Sequence, residues 1–150
     1  MAGEATTRVG IIACSGEEIP EGTISRLATL RVLHERRPGR TVTLCLPLFL
    51  AGDGNERAFA AKYPTIAVDG CAQRCAARGT EAYSARPAAS VVVSEIVAAC
   101  SLPAPQGRRR LDAAGRQAVD ATVERIVELV DALPGGPVPA AGTGGDDPPR

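Results

Sequence analysis

Hydrophobic and polar positions along the chain alternate between short β-branched runs and longer stretches with helical spacing. Arg8 to Cys14 carries the run VGIIAC, of a length and character that suit a strand buried on both faces, and the turn-forming SGEEIPEG follows it. Thr23 stands where a residue can cap a helix whose apolar positions Ile24, Leu27, Leu30 and Leu33 recur about once per turn, and RRPGR stops that helix at Pro38 and Gly39. Thr41 to Cys45 (TVTLC) repeats the strand signal. After LPLFLAGDGN a helix is expected from Glu56 to Lys62, ahead of Pro64. Thr65 to Val68 is a third strand, a short helix is expected from Cys71 to Arg78 before Gly79, and Ser90 to Val93 is a fourth strand. The clearest helix follows Asp112. There Val119, Val123, Ile126, Val127, Val130 and Leu133 build one apolar stripe with acidic residues between them, until Pro134 and Gly135 end it.

Strands alternating with helices predict an α/β fold, a small Rossmann-like three-layer sandwich whose mostly parallel sheet has about four strands joined by right-handed crossovers. The folded domain is expected to span residues 8–133, with a flexible N-terminus at 1–7. The Gly, Pro and Ala of residues 134–150 offer too little apolar bulk to repay ordering and predict a disordered tail. In an open parallel sheet the ligand crevice lies beyond the carboxyl ends of the strands.

Composition narrows the partners. With 17 Lys and Arg against 17 Asp and Glu, the chain has no net field to draw it to nucleic acid or an acidic membrane, and 3% aromatics offer no base-stacking platform. No segment approaches the roughly 20 apolar residues of a membrane helix. The opening MAGEATTR lacks the layout of a secretion signal, so a cytoplasmic location is expected. In a reducing compartment five cysteines, an odd number, read as ligands, catalytic thiols or core residues rather than as a disulfide framework.

The cysteine positions carry the chemistry. Cys14 and Cys45 end the first two strands and Cys71 follows the third, so three thiols distant in sequence converge on one sheet edge. Cys75, four residues beyond Cys71, shares its face if that segment is helical, and a helix starting at Cys71 favours thiolate there. Four thiolates suit tetrahedral Zn²⁺, although the spacing is not that of a zinc ribbon because only one pair is local. An iron–sulfur cluster uses the same donors. Buried, apolar roles for Cys14 and Cys45 remain open on spacing alone.

In motif and order these residues resemble the DGC-domain family, described as zinc-binding. ACSG stands at Ala13 to Gly16, a lone Cys45 ends the second strand, and DGCAQRC runs from Asp69 to Cys75. The resemblance covers Val9 to Val97 and implies that Cys14, Cys45, Cys71 and Cys75 are the metal ligands. It supplies no reaction. Two departures point to a specialised relative: Leu46, Pro47 and Leu48 follow Cys45 where a small-residue loop is common, and Ala72 stands where Pro is common.

Other candidates are weaker. Cys100 lies outside the family motif and reads as a core or spare thiol. Asp69 is balanced between orienting a ligand and ordinary Asp-Gly turn chemistry. Glu17 and Glu18 would repel a phosphate from the loop at Ser15 and Gly16, and neither Cys14, Cys45 nor Cys71 has the Arg six positions later that a cysteine phosphatase needs. His34, the only histidine, and the run Arg108 to Arg110 read as solvated surface. Three functions follow. The first is a four-cysteine Zn²⁺ protein that handles metal or sulfur. The second is a sulfur-transfer or redox protein using Cys71 or Cys75 as a persulfide carrier or zinc-activated thiolate, with a small thiol or sulfur donor as partner. The third is an interaction module that docks on a partner enzyme through Glu17 to Glu21 or the last helix.

Overall fold

The computed structural model describes residues 7–134. The expected flexible start and tail therefore lie outside the described residues, apart from Thr7 and Pro134. Four strands, β1 (Val9–Ala13), β2 (Thr41–Thr43), β3 (Thr65–Asp69) and β4 (Ala89–Val92), form one all-parallel sheet in the order β2-β1-β3-β4. The chain thus leaves β1 toward one edge to make β2, then returns past β1 to make β3 on the other side. The switch in direction lies between β1 and β3, where open α/β sheets keep their ligand crevice.

The helices are α1 (Pro20–Arg31), α2 (Leu46–Ala51), α3 (Gly54–Arg57), α4 (Phe59–Lys62), α5 (Cys75–Tyr83), α6 (Val93–Ala99) and α7 (Ala113–Ala132). The period-2 alternation of the strands sorts them into layers. Val9, Ile11, Ile66, Val68 and Val91 face one side, packed with Ile24, Ala28 and Val32 of the first helical segment and Val119, Val123, Ile126 and Val130 of α7. Ile12 and Ala67 face the other, where Phe59, Ala76 and Ala77 cover them. The result is the expected three-layer α/β sandwich. Ala76 and Ala77 are small, so α5 packs close to the sheet.

Several boundaries differ from the sequence expectation. Helix α1 begins at Pro20, not at a Thr23 cap, because proline suits the first helical position, where an amide would be unpaired. Thr23 is fully buried, and its hydroxyl donates to the Arg108 carbonyl instead. The most buried line of α1 is Ile24, Ala28 and Val32, while Leu30 stays partly exposed. A π turn at Val32–Arg36 extends the helix. LPLFLA, expected as a connection, is the helix α2 with Pro47 in its first turn and Gly52 at φ 92° closing it. The helix expected over Glu56 to Lys62 is two short ones that meet at Ala58. Strand β2 ends at Thr43, two residues short of Cys45.

The first helical segment and α7 are held by three ion pairs, Arg31–Asp120, Arg36–Glu124 and Arg37–Asp131. The Glu124 and Asp131 carboxyls lie below their ordinary range, chiefly through side-chain hydrogen bonds from Arg36 and Arg37. No helix among the described residues is long and apolar enough to cross a membrane.

Candidate thiol site at the sheet switch point

Cys14 follows β1 directly, and its N–H donates to the Val68 carbonyl at 2.9 Å, which extends the β1–β3 ladder into the loop. Its Sγ accepts from the Gly70 N–H at 3.3 Å and lies 3.5 Å from the Ser25 hydroxyl. Ser25 gives its single proton to the Gly22 carbonyl at 2.6 Å, so the Cys14 thiol is the donor in the second contact.

Gly70 is dictated by a close approach. A Cβ on it would stand 2.7 Å from Gly22 N and 2.8 Å from Glu21 C, both backbone atoms at the start of α1. Gly22 is tighter, since its Cβ would meet the Gly16 carbonyl oxygen at 1.6 Å. The loop after β3 and the loop after β1 therefore press on the first turn of α1 where only glycine fits. That contact carries Cys71 to the rim of a cavity of about 340 Å³, which Cys14, Cys71 and Cys75 line together with Glu18, Asp69 and Arg74.

Asp69 is buried, 1% exposed, and its role is now defined. Its two carboxylate oxygens accept from the Ala76 N–H at 2.6 Å and the Ala77 N–H at 3.1 Å. It caps the N-terminus of α5 from the end of β3, across the intervening loop. Burial raises its pKa above the ordinary aspartate value, and the hydrogen bonds from Ala76 and Ala77 oppose that rise.

The helix expected to start at Cys71 starts at Cys75, so the two thiols are not one turn apart on a common helical face. Arg74 takes the left-handed conformation, φ 53° and ψ 47°, which breaks the helical path before Cys75. The positive helix end correspondingly lies at Cys75, and the Asp69 carboxylate occupies its amides. Ser15, directly after Cys14, and Ser101, directly after Cys100, are also at positive φ, 54° and 51°, so such backbone flanks three of the five cysteines, Cys100 outside the cavity among them.

Cys45 stands apart. It is exposed at the start of α2, its N–H donates to Glu56 Oε2 at 2.6 Å, and it does not line the cavity of the other three. Cys100, expected as core or spare thiol, is exposed at the end of α6 and does not line it either. His34 is exposed and Arg109 pairs with Glu17 at 3.1 Å. The donor chemistry suits a thiophilic ion: three thiols on one cavity, one on the loop after β2, and the buried carboxylate already engaged by α5. As the side chains stand, no three Cys, His, Asp or Glu among the described residues are grouped as ligands of one ion. Sequence reasoning missed Ser25 and Thr29, polar residues four apart on the buried side of α1. Neither falls on the Ile24, Leu27, Leu30, Leu33 spacing, so the sequence carried no signal for their burial.

No curated protein and no solved structure matches the chain. The model of one family, the DGC domain, matches residues 10–125, from β1 well into α7, and the chain therefore belongs to the DGC domain family.

Proposed function

We propose that this protein binds Zn²⁺ through Cys14, Cys45, Cys71 and Cys75 at the carboxyl edge of its sheet, and that it handles metal or sulfur in the reducing cytoplasm. The observation that carries this reading is the convergence of Cys14, Cys71 and Cys75, from separate segments, on one cavity at the switch point. Cys45 is the fourth ligand, delivered by the short loop between β2 and α2. Zinc would supply a Lewis-acidic centre that holds thiolate at neutral pH. Cys45 and Cys75 are exposed, which suits exchange with a partner better than the closed shell of a purely structural site.

Metal analysis of protein purified without added metal should give about one Zn per chain, with four thiols protected from alkylation. Replacing Cys14 or Cys45 with Ser should lower metal content and thermal stability together. Metal-free protein whose thiols all alkylate freely sinks the reading, and a brown, visibly absorbing sample points to an iron–sulfur cluster instead.

A second reading, sulfur transfer or redox chemistry at Cys71 or Cys75, draws on the exposure of Cys75 at the cavity mouth. The engagement of the α5 amides by Asp69 weighs against it, since the helix end is already neutralised. Persulfide on either residue, detected by mass and lost on its Ser variant, would favour it.

A further inference from the structure

Ser25 is fully buried on α1, and its hydroxyl uses every hydrogen-bonding capacity it has. Its proton goes to the Gly22 carbonyl at 2.6 Å. Its lone pairs face the loop after β1, where one accepts from the Ser15 N–H at 3.3 Å and the other meets the Cys14 thiol at 3.5 Å. Ser15 is the left-handed residue directly after Cys14, so one oxygen atom holds both the thiol and the backbone reversal beside it.

A back-bond from a helical serine to the previous turn needs no partner outside the helix. Thr122 is that ordinary case, donating to the Ala118 carbonyl in its own helix. The Thr29 hydroxyl, one turn on from Ser25, has no partner among the described residues. Ser25 differs because its acceptor side is turned onto a cysteine. The contact also has a direction that metal binding reverses. As a thiol Cys14 is the donor, whereas as a metal ligand it is a thiolate with no proton to give and can only accept. Gly70 N–H already points at the sulfur, at 3.3 Å. The Ser25 proton reaches it by rotation about the Cβ–Oγ bond alone, and the Gly22 carbonyl it leaves keeps the Arg26 N–H of the helical ladder.

We propose that Ser25 is a positioning residue of the thiol site: it places Cys14 in the free protein and turns its hydroxyl to donate to the Cys14 thiolate when metal is bound. Cys14 releases its proton to solvent as it ligates, and the Ser25 proton swings from the Gly22 carbonyl to sulfur with no heavy atom displaced. The ligating sulfur then accepts two hydrogen bonds, from Gly70 N–H and Ser25 O–H, which draw off part of the charge that four thiolates concentrate on one ion. Ser25 lies outside the four cysteines and outside the Asp69–Cys75 motif, and its role rests on the metal reading above.

The test uses the full-length protein loaded with zinc, and with cobalt as a coloured tetrahedral stand-in. Ser25→Ala removes the hydroxyl, adds no volume and favours the helix, so the fold should be kept. It should weaken zinc binding about tenfold or more in competition with a chelator, with the cysteine thiols still protected from alkylation. The sulfur-to-cobalt charge-transfer band should move to longer wavelength, because a thiolate that loses a hydrogen-bond donor gives up electron density more readily. A general loosening of α1 lowers affinity without that shift. Thr29→Val alters a buried hydroxyl one turn away and should keep wild-type affinity and band position. In the cadmium-loaded wild type, NMR should find the Ser25 hydroxyl proton slow to exchange and coupled to the metal through the Cys14 sulfur, a readout that needs no variant. Wild-type affinity or an unmoved band in Ser25→Ala, equal losses in Thr29→Val, or a rapidly exchanging, uncoupled hydroxyl overturns the role of Ser25 and leaves the zinc site standing. Wild-type protein that takes up none of these metals removes the metal reading, and the role of Ser25 falls with it.

Discussion

Replacing Asp69 with Asn separates a capping role from a metal-directed one. The carboxylate is 1% exposed and accepts from two amides at the start of α5. The Asn side chain keeps one acceptor oxygen, so one amide stays paired while the other meets an NH₂ group, donor against donor. The loss is one charge-assisted hydrogen bond and one unpaired buried N–H, partly offset by relief from burying a carboxylate, a net cost of about 1–3 kcal/mol. For a chain of this size that corresponds to a fall in Tm of about 2–12 °C. Hydrogen exchange should show the Ala76 or Ala77 amide losing protection before the sheet does. The pH dependence has a definite sign. Burial raises the Asp69 pKa in the fold, so the folded state takes up its proton first and wild-type stability rises as pH falls through the folded value toward 3.8. Asn does not titrate, and the gap between the proteins should widen over that interval. A D69N protein that melts within about 1 °C of wild type with α5 protection intact would refute the capping account.

Gly70→Ala, whose Cβ would stand 2.7 Å from backbone nitrogen, should cost about 1–3 kcal/mol and raise the alkylation rate of Cys71, both checked on one purified sample. Gly79→Ala is the opposite case: it lies within α5 with nothing within 4 Å of the added carbon, and it should stabilise by about 0.5–1 kcal/mol in a denaturant titration. Glu124 and Asp131 have folded pKa values below their unfolded values of 4.5 and 3.8, so their contribution is present above those values and is lost as pH falls through the folded ones. The double variant Glu124→Gln, Asp131→Asn should therefore lose less Tm than wild type on acidification, and equal losses would exclude these pairs as the cause.

The parts of the fold written in local pattern were legible. β-branched runs located the four strands, the valine and isoleucine stripe defined α7, and the alternation of elements fixed the sheet as parallel. What escaped was non-local. The start of α5 is decided by Asp69, which reaches its amides from the end of β3. Thr23 lost its expected capping role to a carbonyl far along the chain, at Arg108. Helix α2 was hidden because Pro47, commonly a breaker, sits in a first turn where proline is tolerated. The thiol cluster was legible in part. Strand ends delivered Cys14 and Cys71 to one cavity, and Cys75 joined them through the start of α5. Cys45, two residues past its strand and exposed, is not on that cavity. The glycines of the motif become intelligible only when the loops after β1 and β3 are seen pressed on α1.

The zinc K-edge absorption spectrum of the purified protein tests the central claim most directly, because it reads the ligand atoms themselves. Four sulfur neighbours at about 2.3 Å are predicted, with the count falling in Cys45→Ser and unchanged in Cys100→Ser. A shell with nitrogen or oxygen in place of one sulfur, unaffected by Cys45→Ser, would contradict the four-cysteine site.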